Sequence, residues 1–445
     1  MAFFRCLAIA ALPLGAISFA SAAPQPSAAP PVAPPGPIVN WTGFYIGGAI
    51  GEDAASARYN RPPPIYTSYS DTWIGSIDPR GAFGLYVGFN YQALPWAVVG
   101  VEASQTWFGD ASYRELGSTY DLLERSNYVG AVAARAGILM RPDTLVYGKI
   151  GPAWINVKGF ENFGDTFNRD LAAVQAGFGV ETLVTPNIAL RAEASYTAAA
   201  RSLSLESDSD RYTPSILLLQ VGAEYKFDAP AGWGAQAPSS PAAGTPAPDW
   251  TGFEVGGFAS VNGDKMTYFD ANQGETGPFA RFVLGGGGFL GANYQFAQRY
   301  VVGAEVSANY DHVDFLNAFG SSGYYGTYYH FGSIDDVLAV TARAGWLASP
   351  STLIYAKGGL AWIGMSTDWD YWNNIAPNTT GRRTLAGYQV GVGVETFVTS
   401  NVSVRVEGLY TGVGEKIVLN GTNGPDEFTL RPSTLAATTG VALHF

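Results

Sequence analysis

The chain of 445 residues contains a single cysteine, Cys6, and this residue lies in an apolar segment at the start of the sequence. Beyond that segment no cysteine remains to form a disulfide, a thiolate metal site or a cysteine nucleophile. Charged residues make up only 14% of the chain, whereas soluble domains carry about a quarter. No later segment approaches the roughly 18 consecutive apolar residues that a membrane-spanning helix needs. If the chain crosses a membrane, it must cross with β-strands.

The charge balance argues against nucleic acid or anionic lipid as a partner. The 37 acidic residues outnumber the 25 basic residues and give a formal net charge of −12 at neutral pH. Nucleic acid is itself strongly negative, so it would be repelled. Glycine, with 55 residues, and aromatic residues, at 14%, are abundant instead. This composition is typical of a β-barrel whose strands face lipid on one side only.

The first 22 residues have the features of a secretory signal peptide. Arg5 is the only basic residue, an apolar run follows from about Cys6 to Phe19, and Ala20–Ala22 provides a cleavage site. The alternative is an uncleaved membrane helix, which the short run and its Pro13 disfavour. We therefore predict that residues 1–22 are a signal peptide and that the protein is exported.

An internal duplication organises the rest of the chain. Two stretches, 23–40 and 228–249, are rich in Pro and Ala and predict linkers without a core. Trp-Thr-Gly-Phe follows each linker and begins the two modules, 41–227 and 250–445. The two modules match in successive sequence blocks. VVGVE in the first module corresponds to VVGAE in the second, TLVYGKIGPAWI corresponds to TLIYAKGGLAWI, and GVETLVTPNIALRAEASYT corresponds to GVETFVTSNVSVRVEGLYT. Such blocks indicate two tandem copies of one structural unit.

Within each module, apolar and polar residues alternate with a period of two, which predicts β-strands. Short turns, such as those at Pro142, Pro186 and Pro350, alternate with long polar loops. This asymmetry is typical of a bacterial outer-membrane barrel, and a soluble β-sandwich would not explain it. The predicted loops include 52–80, 109–125, 311–333 and 413–433, and the predicted strands lie near 41–51, 81–92, 97–108, 126–140, 144–158, 170–184, 188–199, 213–227, 250–260, 281–295, 300–310, 334–347, 352–366, 383–398, 402–412 and 434–445.

Charged residues inside the strands are expected to form one layer per module. An Arg or Lys that faces lipid near mid-membrane costs about 2–4 kcal/mol, so these residues should point inward. The turn at Pro186 places Glu181 opposite Arg191 as a favourable cross-strand pair, and the turn at Pro142 places Arg135 opposite Lys149, whose repulsion neighbouring glutamates would relieve. The predicted layers are Glu102, Arg135, Lys149, Glu181, Arg191 and Glu193 in the first module, and Glu305, Arg343, Lys357, Glu395, Arg405 and Glu407 in the second.

Two interpretations of this layer remain open. If each module closes alone, eight strands leave room for little more than side chains, and the balanced charges form a salt-bridge plug. If both modules build one barrel of sixteen strands, the same residues line a channel. The linker 228–249 favours separate closure, because a turn inside one barrel needs only a few residues. We predict an all-β fold of two tandem eight-stranded transmembrane antiparallel β-barrels, with one sixteen-stranded barrel as the alternative.

No catalytic, cofactor or metal site is predicted. The histidines His312, His330 and His444 are scattered and lack metal-ligand spacing. The glycine-rich run 285–291 lacks the helix that follows a phosphate loop, so these glycines are assigned to a crowded strand. The acidic residues of 206–210 are assigned to a solvated loop, with weak binding of a divalent ion as the alternative.

The repeated blocks, together with WTGFYIGG and the two ARAG segments, resemble the small outer-membrane β-barrel family of alphaproteobacteria. This surface-antigen and porin-like group is distantly related to OmpA-type barrels, and the resemblance covers most of both modules. Typical members carry one module, so the duplication is a departure. The resemblance implies a barrel inserted in the Gram-negative outer membrane, in contact with its lipid and lipopolysaccharide.

The resemblance also bears on function and assembly. It implies a structural or surface-interaction role in the cell envelope, with a porin for passive diffusion of small solutes as the alternative and an outer-membrane enzyme as the least favoured one. Phe445 ends the chain and Phe227 ends the first module, each after alternating apolar residues. Both resemble the terminal signal that the barrel-assembly machinery reads. The oligomeric state is left open.

Overall fold

The computed structural model describes residues 40–61, 70–109, 122–161, 165–204, 211–227, 248–270, 274–319, 327–367, 381–420 and 427–445. In these ranges the chain forms strands joined by turns and bends, and none of their residues builds a helix able to span a membrane. The predicted signal peptide, the acidic loop and nearly all of both predicted linkers lie outside the described residues.

The first sheet closes on itself. Each strand pairs antiparallel with the next, and β9 pairs back with β1, so eight long strands form a ring. The two-residue strand β8 only extends one edge of β9. The strands of this first barrel are β1 (Gly43–Arg61), β2 (Ser70–Leu94), β3 (Ala97–Phe108), β4 (Leu122–Arg141), β5 (Thr144–Glu161), β6 (Asp165–Leu183), β7 (Ile188–Ala199), β8 (Leu203–Ser204) and β9 (Arg211–Lys226).

The second sheet repeats this topology and closes through the pairing of β18 with β10. The alternative of one sixteen-stranded barrel is therefore wrong, because the first and last strands of each module pair with each other. The strands of this second barrel are β10 (Gly252–Asp270), β11 (Gly274–Phe296), β12 (Tyr300–Phe319), β13 (Thr327–Ser349), β14 (Thr352–Thr367), β15 (Gly381–Phe397), β16 (Val402–Val413), β17 (Ile417–Asn420) and β18 (Glu427–His444).

The strands extend further than the sequence pattern predicts. The predicted short turns are confirmed, since β4 ends at Arg141 and β5 begins at Thr144. The predicted loops 52–80 and 311–333 are wrong in part, because β1 continues to Arg61 and β13 begins at Thr327. Apolar alternation marks only the part of a strand that faces lipid, whereas backbone pairing of a hairpin continues beyond it. We call the end with the short turns the turn end and the opposite end the loop end.

The two faces of each barrel wall differ as the alternation requires. On β1, Phe44, Ile46 and Ile50 point outward and are 63%, 53% and 64% exposed, whereas Tyr45 between them is fully buried at 0%. An apolar outer surface around a filled interior is the arrangement of a transmembrane barrel. The charged residues of the sequence prediction lie on the inner face.

Candidate functional site

The first barrel brings its six predicted charged residues together in one buried layer. They come from five neighbouring strands, β3 to β7, and each exposes 6% or less of its surface. Their side chains point inward because each shares the strand face that alternates with lipid-facing residues. The set consists of Glu102, Arg135, Lys149, Glu181, Arg191 and Glu193.

Glu102 is the centre of this layer. Its two carboxylate oxygens accept hydrogen bonds from Arg191 Nη1 at 2.6 Å and Nη2 at 2.9 Å, and Oε1 also accepts one from Lys149 Nζ at 3.0 Å. The Tyr45 hydroxyl donates to Glu102 at 2.9 Å. Strands β3 and β7 stand four positions apart in the ring of eight, on opposite walls. The bidentate ion pair therefore bridges the interior.

The registers of both predicted hairpins are confirmed, but one expected contact is wrong. Glu181 and Arg191 are direct cross-strand neighbours, as are Arg135 and Lys149. Arg191 nevertheless pairs with Glu102 and with Glu193 rather than with Glu181. The reason is the narrow interior, which lets a long side chain reach the far wall. Glu181 instead accepts a hydrogen bond from Arg135 Nη2 at 2.7 Å.

The relief of the Arg135–Lys149 repulsion also follows from these contacts. Arg135 turns toward Glu181, whereas Lys149 Nζ lies 2.6 Å from Glu193 and 3.0 Å from Glu102. Each cation thus has its own carboxylate partner, so the two like charges are held apart.

The layer contains charged residues that the sequence analysis missed. Glu224 and Lys226 on β9 are buried, and Lys226 Nζ lies 3.4 Å from Glu181 and 3.7 Å from Glu224. With them the layer of the first barrel consists of four acidic and four basic side chains. The alternation of the sequence could have identified both residues, because Glu224 and Lys226 lie four and six positions after the inward-facing Gln220 on the same strand.

The second barrel repeats the layer at the equivalent positions. Lys357 Nζ lies 2.9 Å from both Glu305 and Glu407, and Arg405 Nη1 donates to Glu305 at 2.7 Å. Arg343 Nη1 donates to Glu395 at 3.0 Å. All six predicted residues of this layer expose 5% or less of their surface.

The layers differ at the turn end. In the second barrel Glu254 takes the place of Tyr45, and His444 takes the place of Lys226. His444 Nε2 lies 3.1 Å from Glu395, and possible ligand atoms of Glu254, Glu395 and His444 lie within 4.8 Å of one another. Arg343 already donates to both carboxylates, at 2.8 Å and 3.0 Å. Arg343 therefore already supplies a positive charge to both carboxylates.

A buried tryptophan closes the turn end of each barrel. Trp41 is fully buried and its indole nitrogen donates to the carbonyl oxygen of Pro142 at 2.9 Å. Trp250 makes the same contact with the carbonyl oxygen of Pro350 at 3.2 Å. The tryptophan that begins each module is therefore hydrogen-bonded to a turn at the turn end, below the charged layer.

Little space remains around the charged layers. The cavity beside Glu102 and Arg191 has a volume of about 10 Å³, and the one beside Lys357 and Arg405 about 20 Å³. A single water molecule needs about 10–15 Å³ of such volume. The interior also contains an apolar cluster farther toward the loop end, which includes Ile155 and Ile216 in the first barrel, and Met266 and Ile363 in the second.

The two terminal phenylalanines occupy equivalent positions. Phe227 is 50% exposed and donates its amide to the carbonyl oxygen of Phe44 at 2.8 Å. Phe445 is 72% exposed and makes the same contact with Phe253 at 2.9 Å. Each ring thus points outward where the last strand joins the first.

Comparison with known proteins finds the same fold in both modules. The family described as "Outer membrane protein beta-barrel domain" matches residues 10–227 and 233–445. The 31 kDa outer-membrane immunogenic protein of Brucella melitensis is 29% identical over 42% of this chain and 82% of its own length.

Two further relatives have similar coverage. The 25 kDa outer-membrane immunogenic protein of Brucella abortus is 30% identical over 49% of this chain and 94% of its own length. The 22 kDa outer membrane protein of Rhizobium leguminosarum is 33% identical over 38% of this chain and 68% of its own length. Each match spans about one module, so the relatives resemble one barrel of the two.

Proposed function

Because this chain belongs to the outer membrane protein β-barrel domain family, we propose that its two barrels are closed structural and surface-interaction elements of the cell envelope, rather than porins. The protein lies in the outer membrane of a Gram-negative bacterium. The observation that carries the proposal is the ion pair between Glu102 and Arg191, which bridges opposite walls of the first barrel. Arg405 and Glu305 form the equivalent bridge in the second.

In this proposal the charged layer is a plug that fills the interior and links strands on opposite walls by ion pairs. Buried ion pairs of good geometry hold opposite strands in one register, although their net contribution to stability is modest because each charge loses its hydration. The tryptophan below and the apolar cluster on the loop side add two further barriers to an ion. A hydrated solute would have to displace all three layers.

We do not propose an enzymatic activity for these barrels. The predicted carboxylates are held in ion pairs, and the cavities beside them have room for about one water molecule each, which is too little for a substrate. The relatives matched are outer-membrane proteins by name.

We place the partners of the protein in the membrane itself. The exposed apolar residues of the outer face, such as Phe44 and Ile50, would contact outer-membrane lipid and lipopolysaccharide. Phe227 and Phe445 would each present a terminal aromatic residue to the barrel-assembly machinery, so that each barrel carries its own signal.

Liposome swelling tests the closed-barrel proposal. Liposomes that contain the full-length protein should swell in a small sugar no faster than protein-free liposomes, and a general porin at the same molar ratio serves as the positive control. Swelling at the rate of the porin control would contradict the proposal and favour a diffusion channel.

A further inference from the structure

The second barrel contains a polar cluster on the loop side of its charged layer. Asn262 and Asp264 occupy successive inward positions on β10, and Asn309 and Asp311 lie on β12. Asp264 exposes 0% and Asp311 only 1% of its surface. Strand β11 runs between the two strands that carry these residues.

A glycine on β11 allows the side chains of β10 and β12 to contact each other across it. A Cβ atom at Gly285 would lie 2.5 Å from Asn262 Nδ2 and 2.8 Å from Ser260 Oγ, so any larger residue would displace the cluster. Across this gap Asn309 Nδ2 donates to Asn262 Oδ1 at 3.0 Å, and Ser260 Oγ donates to Asn309 Oδ1 at 2.9 Å. Asn309 Nδ2 also donates to Asp311 Oδ2 at 3.4 Å. The two asparagines are thus held by hydrogen bonds beside the carboxylates.

The two aspartates lack a counter-charge. Both carboxylate oxygens of Asp264 and Oδ1 of Asp311 are buried without a hydrogen bond of normal geometry, and the neutral hydroxyl of Thr434, opposite Asp264 on β18, is the polar group beside Asp264. The two groups lie close enough for their charges to repel each other. Two buried carboxylates without a cation are a strongly unfavourable arrangement.

The basic groups near the cluster are engaged elsewhere. Arg281 lies opposite Asp264 on β11, but its Nη1 donates to the carbonyl oxygen of Asp314. Arg382 pairs with Asp336, and His312 Nδ1 lies 2.9 Å from Asp335. Lys265, the next residue after Asp264, falls on the opposite face of the strand. Within the described ranges, no lysine or arginine forms an ion pair with Asp264 or Asp311.

The first barrel shows that the fold does not require these acids. Ala55 stands at the position of Asp264, and Phe108 stands at the position of Asp311. There Ala55 and Phe108 belong to a packed apolar cluster. The pair of aspartates is therefore specific to the second barrel, whereas the first barrel buries a single acid in this region, Asp53 at the position of Asn262.

We propose that Asp264 and Asp311 bind one divalent cation of the calcium type inside the loop-side half of the second barrel. Two negative charges match one divalent ion, and carboxylate oxygens are ligands that Ca²⁺ prefers over nitrogen or sulfur. Ca²⁺ also tolerates irregular ligand geometry better than Mg²⁺ does. No metal site was predicted at these aspartates, because they lie far apart in the sequence on strands that are not adjacent.

Calorimetric titration with CaCl₂ tests the proposal on the full-length protein, refolded in detergent and stripped with EDTA. The unmodified protein should bind Ca²⁺ saturably, and the D264N/D311N variant should lose one site or bind it at least about tenfold more weakly. E415Q, which removes an exposed carboxylate near the loop end of the same barrel, should bind like the unmodified protein. The difference between the two titrations isolates this site from any other acidic group of the chain.

Two results would overturn the proposal: no Ca²⁺ binding by the unmodified protein, or equal binding by D264N/D311N. The second result would mean that the aspartates carry protons instead. Folding of each variant is checked by its heat-dependent mobility on a denaturing gel. If the double variant fails to fold, the single variant D264N is titrated, and binding equal to that of the unmodified protein would again refute the site.

Discussion

Replacing Glu102 with leucine is expected to destabilise the first barrel by about 3–5 kcal/mol, the usual cost of removing one partner from a buried ion pair. Glu102 accepts hydrogen bonds from Arg191, Lys149 and Tyr45 at 2.6–3.0 Å. Arg191 and Lys149 keep Glu193 as a partner, which limits the loss. The layer would nevertheless hold one more buried cation than anion.

Urea unfolding in detergent, followed by tryptophan fluorescence, measures this loss. The matched control is Val101→Leu, because Val101 precedes Glu102 on β3 but is 57% exposed on the lipid-facing side. The control should change the free energy of unfolding by less than about 0.5 kcal/mol. A loss below about 1 kcal/mol for Glu102→Leu would refute the view that the layer is a buried plug, because a solvated lumen would screen the remaining charges.

Three further predictions concern other positions. Glu181→Leu should cost about 3–5 kcal/mol, because Arg135 loses its partner at 2.7 Å and keeps only Glu102 at 3.6 Å, yet it should leave bilayer conductance unchanged; a stable barrel with altered ion selectivity would contradict this. His444→Lys should stabilise the second barrel by about 1–3 kcal/mol at pH 8, because it supplies the fourth cation that the layer of the first barrel has; an unchanged or lowered free energy of unfolding would count against it. Gly285→Ala should lower the free energy of unfolding by about 1–3 kcal/mol, because the added Cβ would lie 2.5 Å from Asn262 Nδ2. Gly257→Ala should cost less, because its added Cβ would lie 3.6 Å from the nearest atom. Similar losses for both variants would refute the close packing of side chains against Gly285.

The sequence predicted the register of the barrels better than it predicted their contacts. Turn position and alternation place Glu181 opposite Arg191, and the structure has that pairing. Register describes neighbours along the wall, however, and Arg191 reaches across the interior to Glu102 instead. Which wall a long side chain reaches depends on the diameter of the closed barrel, and this is a property of the assembled sheet.

The aspartate pair illustrates a second limit. Asp264 and Asp311 are distant in the sequence and come from strands that are not adjacent, so no spacing rule connects them. They meet because Gly285 on the strand between them leaves room above the sheet. The glycine run lies in a crowded strand, as predicted from the sequence, but the side chains that use the space could be identified only in three dimensions.

Planar-bilayer conductance before and after protease cleavage between the modules tests the central claim most directly. Two independently closed and plugged barrels predict no stable conductance from the intact chain, and two fragments that each keep the heat-dependent mobility of a folded barrel. A large, stable conductance that disappears on cleavage would contradict the account, because it would require one channel built from both halves.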